Sequence, residues 1–324
     1  MPESEGRWLL LIHQIPPKPN YFRVKIWRRL QRLGAVAIKN SVYVLPKTDQ
    51  TQEDFQWVLR EIIEGKGEGS ICEANFVDGL SNDQVENLFQ SARETEYRQI
   101  ADEARHLAKT PLSKKLSEDS QRTQIEIDVT RLRRRLTAVI ALDFFGAPGR
   151  EAAEGLINGI EARIQRKSGK SVANVSAARP HTLKGKTWVT RKGIHVDRMA
   201  SAWLIRRFID PDAHVKFVPH KGYKPLPDEI RFDMFEAEFT HVGDRCSIEV
   251  LIDRVGIDDS ALTPIAQIVH EIDLKDSKFG RQETVGIERL IAGIAMAHRE
   301  DETRLTRSAI VFDDLYEYFK RKGS

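Results

Sequence analysis

WLLLIHQIPPKPNYFRVKIWRRLQRLGAVAIKNSVYVLP, residues Trp8–Pro46, decides the architecture of the first part of the chain. Trp8–Ile15 is an apolar run with strand character, and Pro16 and Pro17 end it because proline cannot donate to a sheet ladder. Asn20 is placed to cap a helix whose apolar positions Phe22, Ile26, Leu30 and Leu33 recur at helical spacing, with Gly34 as its stop. Ala35–Ile38 and Ser41–Leu45 then read as two strands around Lys39-Asn40. Downstream, Phe55–Ile63 is a second amphipathic helix and Ser70–Val77 another strand. The order β-α-β-β-α-β predicts a small ferredoxin-like sandwich over residues 6–78.

Beyond it, Asp83–Lys109, Ser120–Phe145 and Ala152–Lys167 have helical patterns with no strand between them. Lys167–Lys186, rich in Ser, Gly, Ala and Lys, reads as a linker. From Thr187 onward, strand patterns (Thr187–Thr190, Val215–Val218, Ile248–Leu251) mix with helical ones (Val196–Ile209, Leu262–Asp273, Thr284–Ala297, Leu305–Phe319). The expected fold class is therefore α+β. It comprises a ferredoxin-like N-terminal domain (1–80), a helical bridge or dimerisation region (81–168), a linker (169–186) and a mixed, helix-rich α/β C-terminal domain (187–324). A chain of 324 residues is long enough for two domains of about 150 residues each.

Composition narrows the class. Forty per cent hydrophobic and 31% charged residues are ordinary for a folded soluble protein. No apolar run approaches the ~18 residues a membrane span needs, and Trp8–Ile12 is too short for a signal-peptide core. With Cys72 and Cys246 as the only cysteines, a disulfide framework and a multi-Cys zinc site are excluded, so the cytoplasm is the expected compartment. No Walker-type loop, GxGxxG or GxSxG appears, which leaves nucleotide-driven and serine-hydrolase chemistry unsupported.

The net charge of +3 hides an asymmetry: residues 197–324 hold 19 Lys and Arg against 24 Asp and Glu, and residues 1–196 hold 32 against 24. A basic first half suggests a polyanionic partner there. Gly6–Thr48 contains no acid but nine cations, among them Lys18, Arg23, Lys25, Arg28, Arg29 and Arg32. Lys25, Arg28, Arg29 and Arg32 fall at i, i+3, i+4 and i+7, so they share one helix face, and their mutual repulsion is relieved by an anion such as a phosphate backbone. Arg131, Arg133, Arg134 and Arg135 form a second cluster that either extends this track or pairs with Glu126 and Asp128 as a solvated face. Such contacts position a protein on DNA without reading bases.

The densest chemistry lies in WVTRKGIHVDRMASAWLIRRF, Trp188–Phe208. Arg191, His195 and Arg198 sit at i, i+4 and i+7, and Gly193 places His195 near a helix N-terminus, an arrangement suited to a tetrahedral oxyanion. AEFTHVGDRCSIEVLID (237–253) adds His241 and Glu249, and IVHEIDLKDSKFGRQE (268–283) adds His270 and Asp273. His195, His241, Glu249, His270 and Asp273 admit a site for a single divalent metal ion, while hydrogen-bonded core histidines are the other reading of the same residues.

Three segments, GIHVDRMASAWLIRRFID (193–210), FTHVGDRCSIEVL (239–251) and HEIDLKDSKFGR (270–281), resemble the chromate-resistance regulatory protein family, ChrB. Trp8–Pro46 is similar to that family's N-terminal domain and, more distantly, to the ferredoxin-like domain of phenylacetate-pathway repressors and CRISPR-adaptation nucleases. The first strand ends Ile12-His13-Gln14 where a metal-dependent nuclease of that fold would have an Asp, so no catalytic acid carries over. The resemblance implies a homodimeric regulator, not an enzyme, that binds the promoter of a chromate-efflux operon and responds to chromate. It makes Arg191, His195, Arg198 and His241 the expected chromate-binding residues. The alternative expectation is a metal-dependent oxidoreductase or detoxification enzyme acting on chromate or reactive oxygen species.

Overall fold

The computed structural model describes residues 7–109, 118–167, 183–219 and 222–322, with side chains described for 123–165 within the second span. Of the linker expected at 169–186, residues 169–182 lie outside the described residues. The chain divides into two compact units, one of residues 1–97 and 135–148, the other of residues 98–134 and 149–324.

In the first unit, β1 (Trp8–Gln14), α1 (Asn20–Arg32), β2 (Val36–Lys39), β3 (Val42–Pro46), α2 (Asp49–Glu64) and β4 (Glu68–Ala74) follow one another. Their sheet has the order β2-β3-β1-β4 with every pair antiparallel, which is the ferredoxin-like topology expected. Phe22, Ile26 and Leu30 of α1 and Phe55, Val58 and Ile62 of α2 are buried against Leu9, Leu11, Val44 and Leu45 of the strands. Strand neighbours point to opposite faces, and Trp8 stacks on Phe89 with ring centroids 6.0 Å apart. α2 begins six residues before the apolar pattern does, because Thr48 and Thr51 close a reciprocal capping box (3.1 and 3.0 Å) that periodicity does not reveal. β4 ends at Ala74 because its register with β1 runs from Gln14↔Glu68 to Trp8↔Ala74.

The helices α3 (Asn82–Lys109) and α4 (Glu118–Leu142) contribute residues to both units. The helical stretch expected as a bridge, 81–168, is thus divided between the two units. α5 (Arg150–Lys167) belongs to the second unit.

That unit centres on a parallel sheet of β5 (Thr187–Arg191), β6 (His214–Val218) and β7 (Glu229–Arg231), in the order β6-β5-β7. β5 and β6 are joined through α6 (Val196–Leu204), which continues as one π-helical turn, Ile205–Ile209, closed by Asp210 N–H donating to Ile205 O at 2.8 Å. All nine residues of α6 are buried. Around it pack α7 (Ser247–Val255), α8 (Leu262–Leu274), α9 (Thr284–Ala297) and α10 (Asp301–Lys322). The strand expected at Ile248–Leu251 is instead helix, part of α7. A short apolar run suits either state, and here carboxylates cap the exposed amides of its first turn. Among the described residues, no helix is long and apolar enough to cross a membrane.

Candidate functional site

The second unit buries charge where a core is normally apolar. Asp197 and Arg198 sit side by side in the first turn of α6, Arg191 ends β5, Glu151 begins α5, and Asp233 and His241 flank the segment after β7. Asp273 comes from the last turn of α8. His241 Nε2 lies 3.2 Å from Asp197 Oδ2, 3.4 Å from Asp233 Oδ1 and 3.3 Å from Asp273 Oδ2, so three carboxylates from three parts of the chain meet at one imidazole nitrogen.

Each partner is held from behind. Asp197 accepts the backbone N–H of Ser247 (2.6 Å) and Ile248 (3.0 Å), so it caps α7. Ser247 Oγ donates to Asp233 Oδ1 at 2.7 Å, and Arg198 Nε reaches Asp233 Oδ2 at 3.2 Å. Asp233 holds a left-handed backbone, φ 43°, stabilised by its N–H donating to Phe239 O at 2.8 Å, a conformation a non-glycine residue keeps only under constraint. Behind His241, α5 comes so close that a Cβ on Gly155 would stand 2.8 Å from His241 Cβ, and the backbone is tied there by Gly243 N–H to Gly155 O at 3.1 Å.

The electrostatics follow. Burial opposes a charge on His241, but its hydrogen bonds to Asp197 and Asp233 and the charge of Asp273 hold its pKa well above 6.5. Burial, reinforced by the neighbouring Asp233, pushes Asp197 up. Burial and the same crowd of carboxylates push Asp273 up to about 7. Asp233 goes the other way: burial is outweighed by the Arg198 charge and the His241 bond, which hold it below the usual carboxylate range. Four carboxylates (Glu151, Asp197, Asp233, Asp273) thus share two guanidiniums and one imidazole.

Arg191 and Arg198, two of the residues expected with His195 to cradle an oxyanion, are ion-paired in the structure. Arg191 Nη2 is 2.6 Å from Glu151 Oε1, and Arg198 pairs with Asp233 and, at 3.8 Å, with Glu151, so both guanidiniums are already neutralised. The amides of Gly193 and Ile194 donate to Asp301 at 2.9 and 3.0 Å rather than facing a ligand. His195 occupies the N-cap of α6, half-buried, and its side chain makes no capping bond. Nor do the five expected metal ligands form one set. His241 and Asp273 come together with Asp197, whereas Glu249 and His270 join Cys246 in a separate group, Glu249 Oε2 being 2.6 Å from His270 Nδ1. Cys246 is fully buried, and burial pushes its thiol well above 9. Asp197 carried a sequence signal, an acid beside Arg198 in a mainly apolar helical stretch. Asp233 and Glu151 carried none, since a turn and a distant helix deliver them.

A cavity of about 1140 Å³ adjoins the network between α5 and Thr240–Asp244, and Arg105, Lys109, Arg163, His241 and Lys278 are among its lining residues.

In the first unit, α1 exposes its cations unevenly. Lys25 Nζ and Arg29 Nη1 both bind Glu61 of α2, at 2.5 and 2.8 Å. Lys18, Arg23, Arg28 and Arg32 are exposed and make no ion pair with another described residue; Tyr21 and Trp27 stand exposed among them. In the second cluster, Arg131 pairs with Asp128 and Glu103, Arg133 with Glu161 at 2.7 Å, and Arg135 lies in the field of Glu96, leaving Arg134 as an outward cation.

Fold and site define a two-module α+β protein: a ferredoxin-like module carrying a cationic helix and a helix-rich module built around a buried ion network. The chain belongs to the ChrB family. A family model described as "Protein ChrB, N-terminal" matches residues 23–177, and one described as "ChrB, C-terminal domain" matches residues 188–319. It is 30% identical over 329 residues to "Protein ChrB" of Cupriavidus metallidurans, which covers 98% of this chain and 97% of that relative. No solved structure matches it.

Proposed function

We propose that this chain is a chromate-responsive transcriptional regulator of a chromate-resistance operon, acting as a homodimer, with its N-terminal half on promoter DNA and its C-terminal domain as the sensor. ChrB family membership supports the coarse part of this reading, a regulatory protein related to chromate resistance. The observation that carries DNA binding is the outer face of α1: Arg23, Arg28 and Arg32 stand exposed with Trp27 and Tyr21, and no described acid neutralises them. Guanidiniums grip phosphate oxygens bidentately. In the sensor domain a dianion would enter the cavity rimmed by Arg105, Lys109, Arg163 and Lys278. From there it would compete with Glu151 for Arg191 and Arg198, which ties ligand binding to the position of α6.

The test is binding of the purified chain to DNA from upstream of its own operon, titrated with chromate and separately with sulfate. Tight binding with steep salt dependence, released by chromate alone, is the expected result. No binding at low salt removes the reading. A metal-dependent enzyme is the second reading, favoured by the convergence of carboxylates on His241; turnover of chromate by metal-loaded protein would carry it instead.

A further inference from the structure

We infer that Asp197, His241 and Asp273 form a binding site for one divalent cation of the Mn²⁺ or Fe²⁺ class, with Asp233 beside them. Three observations carry this. The first is donor geometry. His241 Nε2 stands 3.2 Å from Asp197 Oδ2 and 3.3 Å from Asp273 Oδ2, and one ligand atom from each of the three residues lies within 4.8 Å of the others; two donors each about 2.1 Å from one ion at octahedral or tetrahedral angles lie about 3.0–3.4 Å apart.

The second is charge. With His241 neutral, as a metal-ligating imidazole is, Glu151, Asp197, Asp233 and Asp273 outnumber Arg191 and Arg198 by two charges in an interior where unpaired charge is costly, and a dication supplies the balance. One imidazole with two carboxylates is a hard donor set, suited to Mn²⁺ or Fe²⁺ more than to a thiolate-seeking metal.

The third is support and access. Asp197 is fixed by the backbone amides of Ser247 and Ile248, the outer-sphere bonds that orient a metal ligand, and Asp233, held by Ser247 and Arg198, stands 3.4 Å from His241 Nε2. Asp273 is the open side: its side chain is 23% exposed, against 1% for Asp197 and 2% for His241, and His241 itself lines the adjoining cavity. The neighbouring Cys246–Glu249–His270 group is a separate set, in which Glu249 Oε2 accepts the Cys246 amide (2.9 Å) and lies 2.6 Å from His270 Nδ1. The cation would lock α6, α8 and the segment after β7 together, giving the C-terminal domain an effector distinct from an oxyanion.

The experiment takes the full chain, stripped with chelator, and titrates it with MnCl₂, following free Mn²⁺ by electron paramagnetic resonance and heat by calorimetry, with Zn²⁺ and Mg²⁺ in parallel. Saturable binding of a single ion is expected. Asp273→Asn and His241→Gln should weaken it by about 10–100-fold or more, while Cys246→Ser leaves it unchanged. Asp273→Asn lies at the exposed edge, so an unchanged thermal melt establishes that its loss is not unfolding; if His241→Gln does not fold, Asp273→Asn alone decides. Absence of saturable binding, or binding that Asp273→Asn leaves intact, overturns the site. No DNA or chromate enters the measurement, so its failure leaves the regulator reading standing, and failure of promoter binding leaves the metal site standing.

Discussion

Arg191 and Glu151 oppose each other in the interior of the C-terminal unit, Nη2 and Oε1 2.6 Å apart, with side chains 4% and 6% exposed. Burial lowers the arginine's pKa and the glutamate's charge opposes that fall. Breaking one side of such a pair leaves an uncompensated buried charge, so Glu151→Leu should destabilise the protein by about 3–5 kcal/mol, read from urea unfolding. Combining it with Arg191→Met should recover most of the loss. A double variant no better than the single one would show that the pair is not the source.

The approach of α5 to His241 makes a second, steric prediction. Gly155→Ala would place a Cβ 2.8 Å from His241 Cβ and 3.2 Å from its backbone carbon, and Gly159→Ala one 2.8 Å from Gly243 Cα. Neither neighbour is a flexible tip, so each substitution should cost about 1–3 kcal/mol by thermal melting. Gly293→Ala on α9 meets nothing within 4 Å and should instead stabilise by about 0.5–1 kcal/mol. Similar shifts at all three positions would refute the close packing of α5.

Stability should also fall toward alkaline pH. His270 Nδ1 is 2.6 Å from Glu249 and its Nε2 is 3.5 Å from Asp276. Burial opposes its charge, but these two acids raise its pKa from 6.5 to about 9. A histidine raised in the folded state contributes stability that is complete below pH 6.5 and is lost as pH climbs to about 9. Glu249 and Asp276 are lowered, their hydrogen bonds and charge contacts with His270 outweighing burial, so their share is present above 4.5 and 3.8 and lost in acid. Unfolding free energies measured from pH 5 to 9 should therefore decline above about 6.5, and His270→Gln should make that decline shallower. His241, also raised, keeps part of the slope. An unchanged alkaline limb in His270→Gln would count against the assignment.

The N-terminal sandwich was legible because each of its elements carries its own period: Phe22, Ile26 and Leu30 mark α1, and the β1 run is closed by prolines. Local punctuation was enough there. α7 was misread as strand because Ile248–Leu251 is too short to show a period, and what makes it helical is a carboxylate from α6, fifty residues earlier. The site divides in the same way. His241 and Asp273 could be read as polar residues in apolar contexts, but the ion pairs that neutralise Arg191 and Arg198 come from Glu151 and from Asp233 in a left-handed turn. Spacing within one segment cannot show such partners, so a stripe of arginines looks the same whether it waits for an anion or has one.

The same distinction yields a test on α1. Lys25 and Arg29 converge on Glu61, an acid that lies outside the acid-free stretch Gly6–Thr48, at 2.5 and 2.8 Å. Their charges, with burial opposing, lower the Glu61 pKa, so it stays ionised and holds both cations against α2. Arg28 and Arg32 have no such partner among the described residues. If α1 holds DNA, Arg28→Ala and Arg32→Ala should each weaken binding uniformly across sequences and reduce the salt slope by about 1. Lys25→Ala should cost less, because that cation is already engaged. Glu61→Gln should do the reverse, releasing two cations to phosphate and steepening the slope by up to about 2. Affinities measured from 50 to 200 mM salt decide it: a Glu61→Gln variant that binds no tighter than wild type, with Arg28→Ala equally silent, would move the DNA contact off this helix.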